Sequence, residues 1–108
     1  MEWDQKWYIK IVMEIRLHPK AEEDLNEVLN HYFKIDINLE KKFISYLELT
    51  FNKIVNFPNL YQYETKTPQK VLIDKFPYIV IYEQYEDIIM ILAIFHTSRN
   101  PINLQDRI

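Results

Sequence analysis

The sequence predicts an α+β fold: an N-terminal strand, then an antiparallel helical hairpin packed on one face of an antiparallel sheet, in the order β-α-α-β-β-β. Three observations lead there. Two amphipathic stretches with helical spacing sit next to each other, joined by only a few residues. Three strand-like runs follow in close succession, separated by short turns. The chain of 108 residues is 48% apolar and 15% aromatic, enough to bury one core and too short for two domains.

The elements follow in order. Residues 7–17, "WYIKIVMEIRL", are rich in β-formers and read as the first strand. A helix begins at "HPKAEEDLNEVLNHYFK", where His18 holds the N-cap position and Pro19 the first helical position. Glu22, Glu23 and Asp24 fall in its first turns, where the helix dipole favours negative charge. Ala21, Leu25, Val28, Leu29 and Tyr32 make its apolar face. The second helix spans "DINLEKKFISYLELTFNKIVNFP" with Phe43, Leu47, Phe51 and Ile54 as its stripe, and Pro58 ends it. Residues 59–69 are polar and irregular. Strands are then predicted at 70–76, 78–84 and 88–95, with turns at Phe76–Pro77 and Tyr85–Asp87.

Residues 88–95 are apolar at every position, as in a central strand covered on both faces. The helices cover one face. The other needs the chain's own ends or a partner polypeptide, and a face left bare for a partner is the expectation.

Composition excludes several functions. The chain has no glycine, although about seven would be average for this length, so glycine-rich phosphate loops and dinucleotide fingerprints are excluded. It has no cysteine, hence no disulfide, thiol nucleophile or zinc–thiolate site, which suits a reducing, cytoplasmic setting. No apolar run reaches membrane-spanning length, and "MEWDQKWYIK" lacks the apolar core of a secretory signal. The formal charge is −3; residues 1–64 carry eight Lys/Arg against eleven Asp/Glu, and residues 65–108 carry five against five. Strong non-specific binding to nucleic acid is disfavoured by that balance, and a protein partner is favoured.

Chemistry-bearing residues gather at the end of the last strand. "ILAIFHTSRNP" delivers His96, Thr97, Ser98 and Arg99 to the tip of a rigid apolar mount. His96 either meets a ligand or caps the strand by bonding a backbone group. Arg99 either contacts a target or pairs with an acid of the first helix, such as Asp24 or Glu27, and holds the chain's end in place. His18 reads as a local cap and His31 as a solvated mid-helix residue; the three histidines share no metal-ligand spacing, so no metal is expected. Ser98 lacks the strained elbow of a serine nucleophile. The tyrosines, among them Tyr61, Tyr63, Tyr78, Tyr82 and Tyr85, suit a protein interface.

Three of these stretches together resemble the RelE/ParE superfamily of bacterial type II toxin–antitoxin toxins. "LHPKAEEDL" is similar to that superfamily's Pro-x-Ala-x-x-Asp-Leu helix start, "FPYIVIYE" to its third strand, and "ILAIFHTSRNP" to its His-x-x-Arg-x-Pro ending. The resemblance spans roughly residues 13–101 and is closer to the ParE-like branch. It implies a small growth-inhibiting toxin, without cofactor, that acts on a protein such as DNA gyrase and is neutralised by a cognate antitoxin. Residues 1–12 are then expected to be an extension and 13–108 the toxin domain. The target-binding set expected from it is His96, Ser98, Arg99, Lys70 and Lys75. The RelE-like alternative, ribosome-dependent mRNA cleavage, would use His96 and Arg99 with Lys70 or Lys75. In that branch, however, an arginine often stands where this chain has Ile79, and no tyrosine follows Arg99 here. A toxin relative that is inactive but retained as a partner of its antitoxin is the third possibility.

Overall fold

The N-terminus of the first helix shows how local chemistry starts this fold. The computed structural model describes residues 14–56, 68–98 and 105–107. Strand β1 (Glu14–Leu17) leads into helix α1 (Pro19–Ile35) through His18, whose Nδ1 accepts the Lys20 N–H at 3.0 Å. His18 is therefore the cap expected, ahead of a proline at the first turn. α1 ends at Asp36, which is extended and donates its N–H to the Tyr32 carbonyl. The Asp36 carboxylate also accepts the Asn38 N–H at 2.9 Å, so this one residue closes α1 and caps helix α2 (Ile37–Asn56). The hairpin connection is thus as short as a connection can be.

β2 (Gln69–Leu72), β3 (Tyr78–Tyr85) and β4 (Ile88–His96) complete a sheet of order β1-β4-β3-β2. β2, β3 and β4 are antiparallel, but β1 pairs parallel to β4, Glu14 opposite Ile88 through Leu17 opposite Ile91, so the sheet is mixed. β2 stops at Leu72, short of the predicted residue 76. Ile73 to Pro77 form a turn instead, with Lys75 in the left-handed region (φ 70). That turn is apolar because Ile73 and Phe76 are buried core residues, which is why it resembles strand.

Main-core packing lies between the hairpin and the sheet. Ala21, Val28 and Tyr32 of α1 and Phe43, Leu47 and Ile54 of α2 are buried against Val80, Tyr82, Ile89, Ile91 and Ile94. Each large apolar side chain fully buried here contributes about 1.5–3 kcal/mol. Tyr32, Phe43, Phe76 and Tyr78 form a ring cluster with centroids 5.1–6.1 Å apart, largely edge to face. It ties both helices to the β2–β3 turn.

β4 carries one irregularity. Its register with β3 slips between Ile81 and Tyr82: Ile81 faces Ala93 while Tyr82 faces Ile91, leaving Leu92 as the extra residue of a bulge. Ile89, Ile91 and Ile94 consequently face the helices, while Leu92, Ala93 and Phe95 face the other way with Ile81. The expected bare second face is not found: Ile81 is 3% exposed and Leu92 1%, so its centre is already withdrawn from solvent within this chain. That face stays exposed at its margins, at Leu72 opposite Ile79 and at Tyr85, and further exposed apolar side chains lie at Phe33, Ile35 and Ile37 around the hairpin tip.

Past Ile91, β4 outruns β1 and its edge needs other partners. The Asp24 carboxylate of α1 accepts the Ile94 N–H at 3.1 Å. Arg107, in a short 3-10 turn (Gln105–Arg107), donates to the Leu92 carbonyl at 3.0 Å and to Asp24 Oδ2 at 2.5 Å. Both side chains are about nine-tenths buried. Lys20 and Asp106 form a second, exposed ion pair beside it. Arg107→Met or Asp24→Asn leaves a buried charge unpaired, and each is expected to lower stability by about 3–5 kcal/mol in urea unfolding. Lys20→Ala should barely move the midpoint. A change below about 1 kcal/mol for both buried variants would mean the pair does not hold the edge.

Candidate functional site

His96 is the last residue of β4 and pairs across the sheet with Tyr78. After the bulge it falls on the helix side, and its ring meets Tyr78 edge-on at 5.2 Å. Two residues further, the Ser98 N–H donates to His96 Nδ1 at 3.1 Å, and the Ser98 hydroxyl oxygen lies 2.8 Å from the same nitrogen. A backbone N–H can only donate, so Nδ1 is the acceptor and a neutral ring carries its proton on Nε2. The lone pair a general base would need is thus occupied, and the ring offers its surroundings a donor.

His96, Ser98 and Lys75 share one end of the sheet: the turn bearing Lys75 precedes β3, and the Thr97 N–H bonds the Pro77 carbonyl at 2.9 Å. Lys70 does not join them. It is exposed on β2 opposite Ile81, hence on the sheet face turned away from the helices. It also sits three β3 positions from Tyr78, roughly 10 Å along the strand at about 3.3 Å per residue. Arg99, Tyr61 and Tyr63 lie outside the described residues. Asp24, one of the two acids suggested as an arginine's partner, is taken by Arg107.

The face turned away from the helices is poor in free cations. Arg16 is bound to Glu14 at 2.7 Å, Ile79 and Met90 are apolar, and Lys70 is the remaining described cation there. Glu83 on this face is 8% exposed and receives a hydrogen bond from the Tyr85 hydroxyl. Burial pushes its carboxyl above the usual range.

A cleft of about 210 Å³ opens on the helix side, between α1 and the end of β4. Val28 and Ile94 supply apolar wall, Tyr78 and His96 aromatic wall, and Asp24, Glu27 and His31 polar groups. The Tyr78 phenol is held above its ordinary range by burial. His96 is legible in the sequence but this cleft is not, because Tyr78, Glu27 and His31 come from two other elements. The signal available was the one-turn spacing of Glu27 and His31 on α1. Among the described residues no three His, Asp or Glu side chains group as metal ligands do, and no helix is long and apolar enough to cross a membrane.

The model of the ParE toxin of the type II toxin–antitoxin system parDE matches residues 15–101. The chain belongs to the ParE toxin family. Among solved structures, a chain of the chromosomal ParDE TA system from P. aeruginosa superposes with a TM-score of 0.67 at 16% identity, covering 82% of this chain and 99% of that one. No curated protein matches this ParE-family sequence.

Two outcomes follow. Long-range nitrogen–proton NMR at mildly alkaline pH should find His96 protonated on Nε2, and a proton on Nδ1 would contradict the Ser98 bond. Glu83→Gln should raise stability at neutral pH. Its folded pKa lies above the unfolded value, so the ionised carboxylate destabilises the fold at high pH and that penalty fades as pH falls through the raised value. The variant's advantage should therefore shrink by pH 4 in denaturant midpoints; a variant less stable at pH 7 would show the Tyr85 bond outweighs burial.

Proposed function

We propose that this protein is the toxin of a type II toxin–antitoxin module, arresting growth in the cytoplasm by binding a protein target such as DNA gyrase and silenced by a cognate antitoxin. Membership of the ParE family supports the toxin reading, and the likeness to a ParDE system supports an antitoxin partner. The observation that carries the choice of binding over RNA cleavage is the occupied Nδ1 of His96. Cleavage by 2′-hydroxyl attack needs a free base and cations around the developing charge. Here the histidine's accepting nitrogen is engaged, and among the described residues Lys70 is the far face's one cation outside an ion pair. An acidic chain of net charge −3 also suits protein contact better than phosphate contact. His96, Ser98 and Lys75 at the sheet end are the proposed target-contacting group, joined by Arg99 of the following segment, with Lys70 apart from them. Residues 1–12 are proposed to precede the toxin domain as an extension.

Expression of the chain alone in a bacterium tests this. Growth arrest with intact transcripts and an induced DNA-damage response is expected. Codon-phased mRNA cuts would replace this reading with ribosome-dependent cleavage, and absence of arrest with one of an inactive relative. Arg99→Ala should abolish arrest while circular dichroism shows the domain still folded; full toxicity in that variant would move the contact elsewhere.

A further inference from the structure

We propose that the cleft between α1 and the end of β4 receives a single arginine side chain presented by a protein partner. The inference rests on the reading of this chain as a module that binds other proteins. It does not depend on which protein is the target.

The cleft's size, about 210 Å³, suits one side chain rather than a length of backbone. Its charge is decided residue by residue. Asp24 is neutralised by Arg107, and its remaining capacity goes to the Ile94 N–H. Glu27 is exposed and makes no ion pair among the described residues, so it is the cleft's one carboxylate without a counter-ion. The Tyr78 phenol stays protonated because burial raises it. The net demand is therefore one positive charge at the mouth. Phosphate or carboxylate ligands would meet Glu27 as a like charge.

Shape narrows the cation. Tyr78 and His96 stand edge to face at 80°, presenting an aromatic surface beside the apolar patch of Val28 and Ile94. A planar guanidinium on a methylene stem matches both: the stem lies on apolar wall, the plane stacks on a ring, and the fork bonds a carboxylate. An ammonium lacks the plane and is held more strongly by water. His96 is fixed with Nδ1 turned to Ser98, so its ring is a set wall rather than a free rotor.

NMR titration of the full chain with Nα-acetyl-arginine amide, at low ionic strength, tests the notch. Saturable shifts are expected at Ile94, His96 and the Tyr78 ring. The uncharged citrulline analogue should bind at least fivefold more weakly, and Glu27→Gln, on an exposed helix position, should weaken arginine binding about tenfold. Absence of saturable shifts at these residues, or equal binding of citrulline, overturns the proposal. If Arg99→Ala binds the probe tenfold more tightly than the native chain, the chain's own arginine is the occupant and the partner's is not. A chain that binds the probe yet never arrests growth overturns the toxin reading and leaves the notch. Growth arrest without probe binding does the reverse.

Discussion

A strand buried in the middle of a sheet must satisfy its backbone on both sides, and β4 is longer than the neighbour that should do so. β1 covers it only from Ile88 to Ile91. Beyond that point the Leu92 carbonyl and the Ile94 N–H would be orphaned in an apolar interior, at a penalty of about 1–3 kcal/mol each. Asp24 and Arg107 take the place of the missing strand: one carboxylate accepts where a carbonyl would, one guanidinium donates where an amide would. Their own charges cancel in the same contact. The pair also joins helix α1, the sheet's central strand and the last turn of the chain, 83 residues apart in sequence. The position of the β4 tip, and so of His96, follows from it.

The bulge at Leu92 belongs to the same arrangement. Without the extra residue, His96 would point to the opposite face and could not meet Tyr78. With it, His96 extends the aromatic cluster that already holds Tyr32, Phe43, Phe76 and Tyr78 together. His96 is thus backed by the aromatic part of the core. A rigid mount of this kind limits the entropy lost when a partner docks.

Much of this was legible in the sequence, for local reasons. The two helices, the His18 cap, the short hairpin link and the order of elements along the chain all follow from spacing and turn chemistry within a few residues. The sequence extends β2 to residue 76 rather than Leu72 because Ile73 and Phe76 are buried in a turn, and apolar content alone cannot separate such a turn from a strand. The slip in β4 was hidden because every residue on either side of it is apolar, so no alternation exists to change phase. The parallel pairing of β1 and the Asp24–Arg107 contact are long-range facts that no window of sequence displays. The second face of the sheet was expected to wait for a partner and is instead buried at its centre, since a sequence shows which residues are greasy but not what lies over them. Of the site, His96 and Ser98 are visible in the sequence as a cluster, but the bond by which the second orients the ring of the first depends on how the chain turns after β4.

A chain without glycine must bend its corners with residues that resist it. Lys75 and Glu86 both adopt positive φ, at about 1–2 kcal/mol apiece for side chains of this kind. The same omission acts on the unfolded chain in the other direction. Glycine roams more of conformational space than any other residue, so replacing it lowers the entropy that folding must overcome by about 0.4–1 kcal/mol per position. Across the seven or so glycines an average chain of this length would hold, that gain is of the same order as the strain in the two tight corners among the described residues. Part of the native state's advantage thus comes from how little freedom its disordered counterpart enjoys.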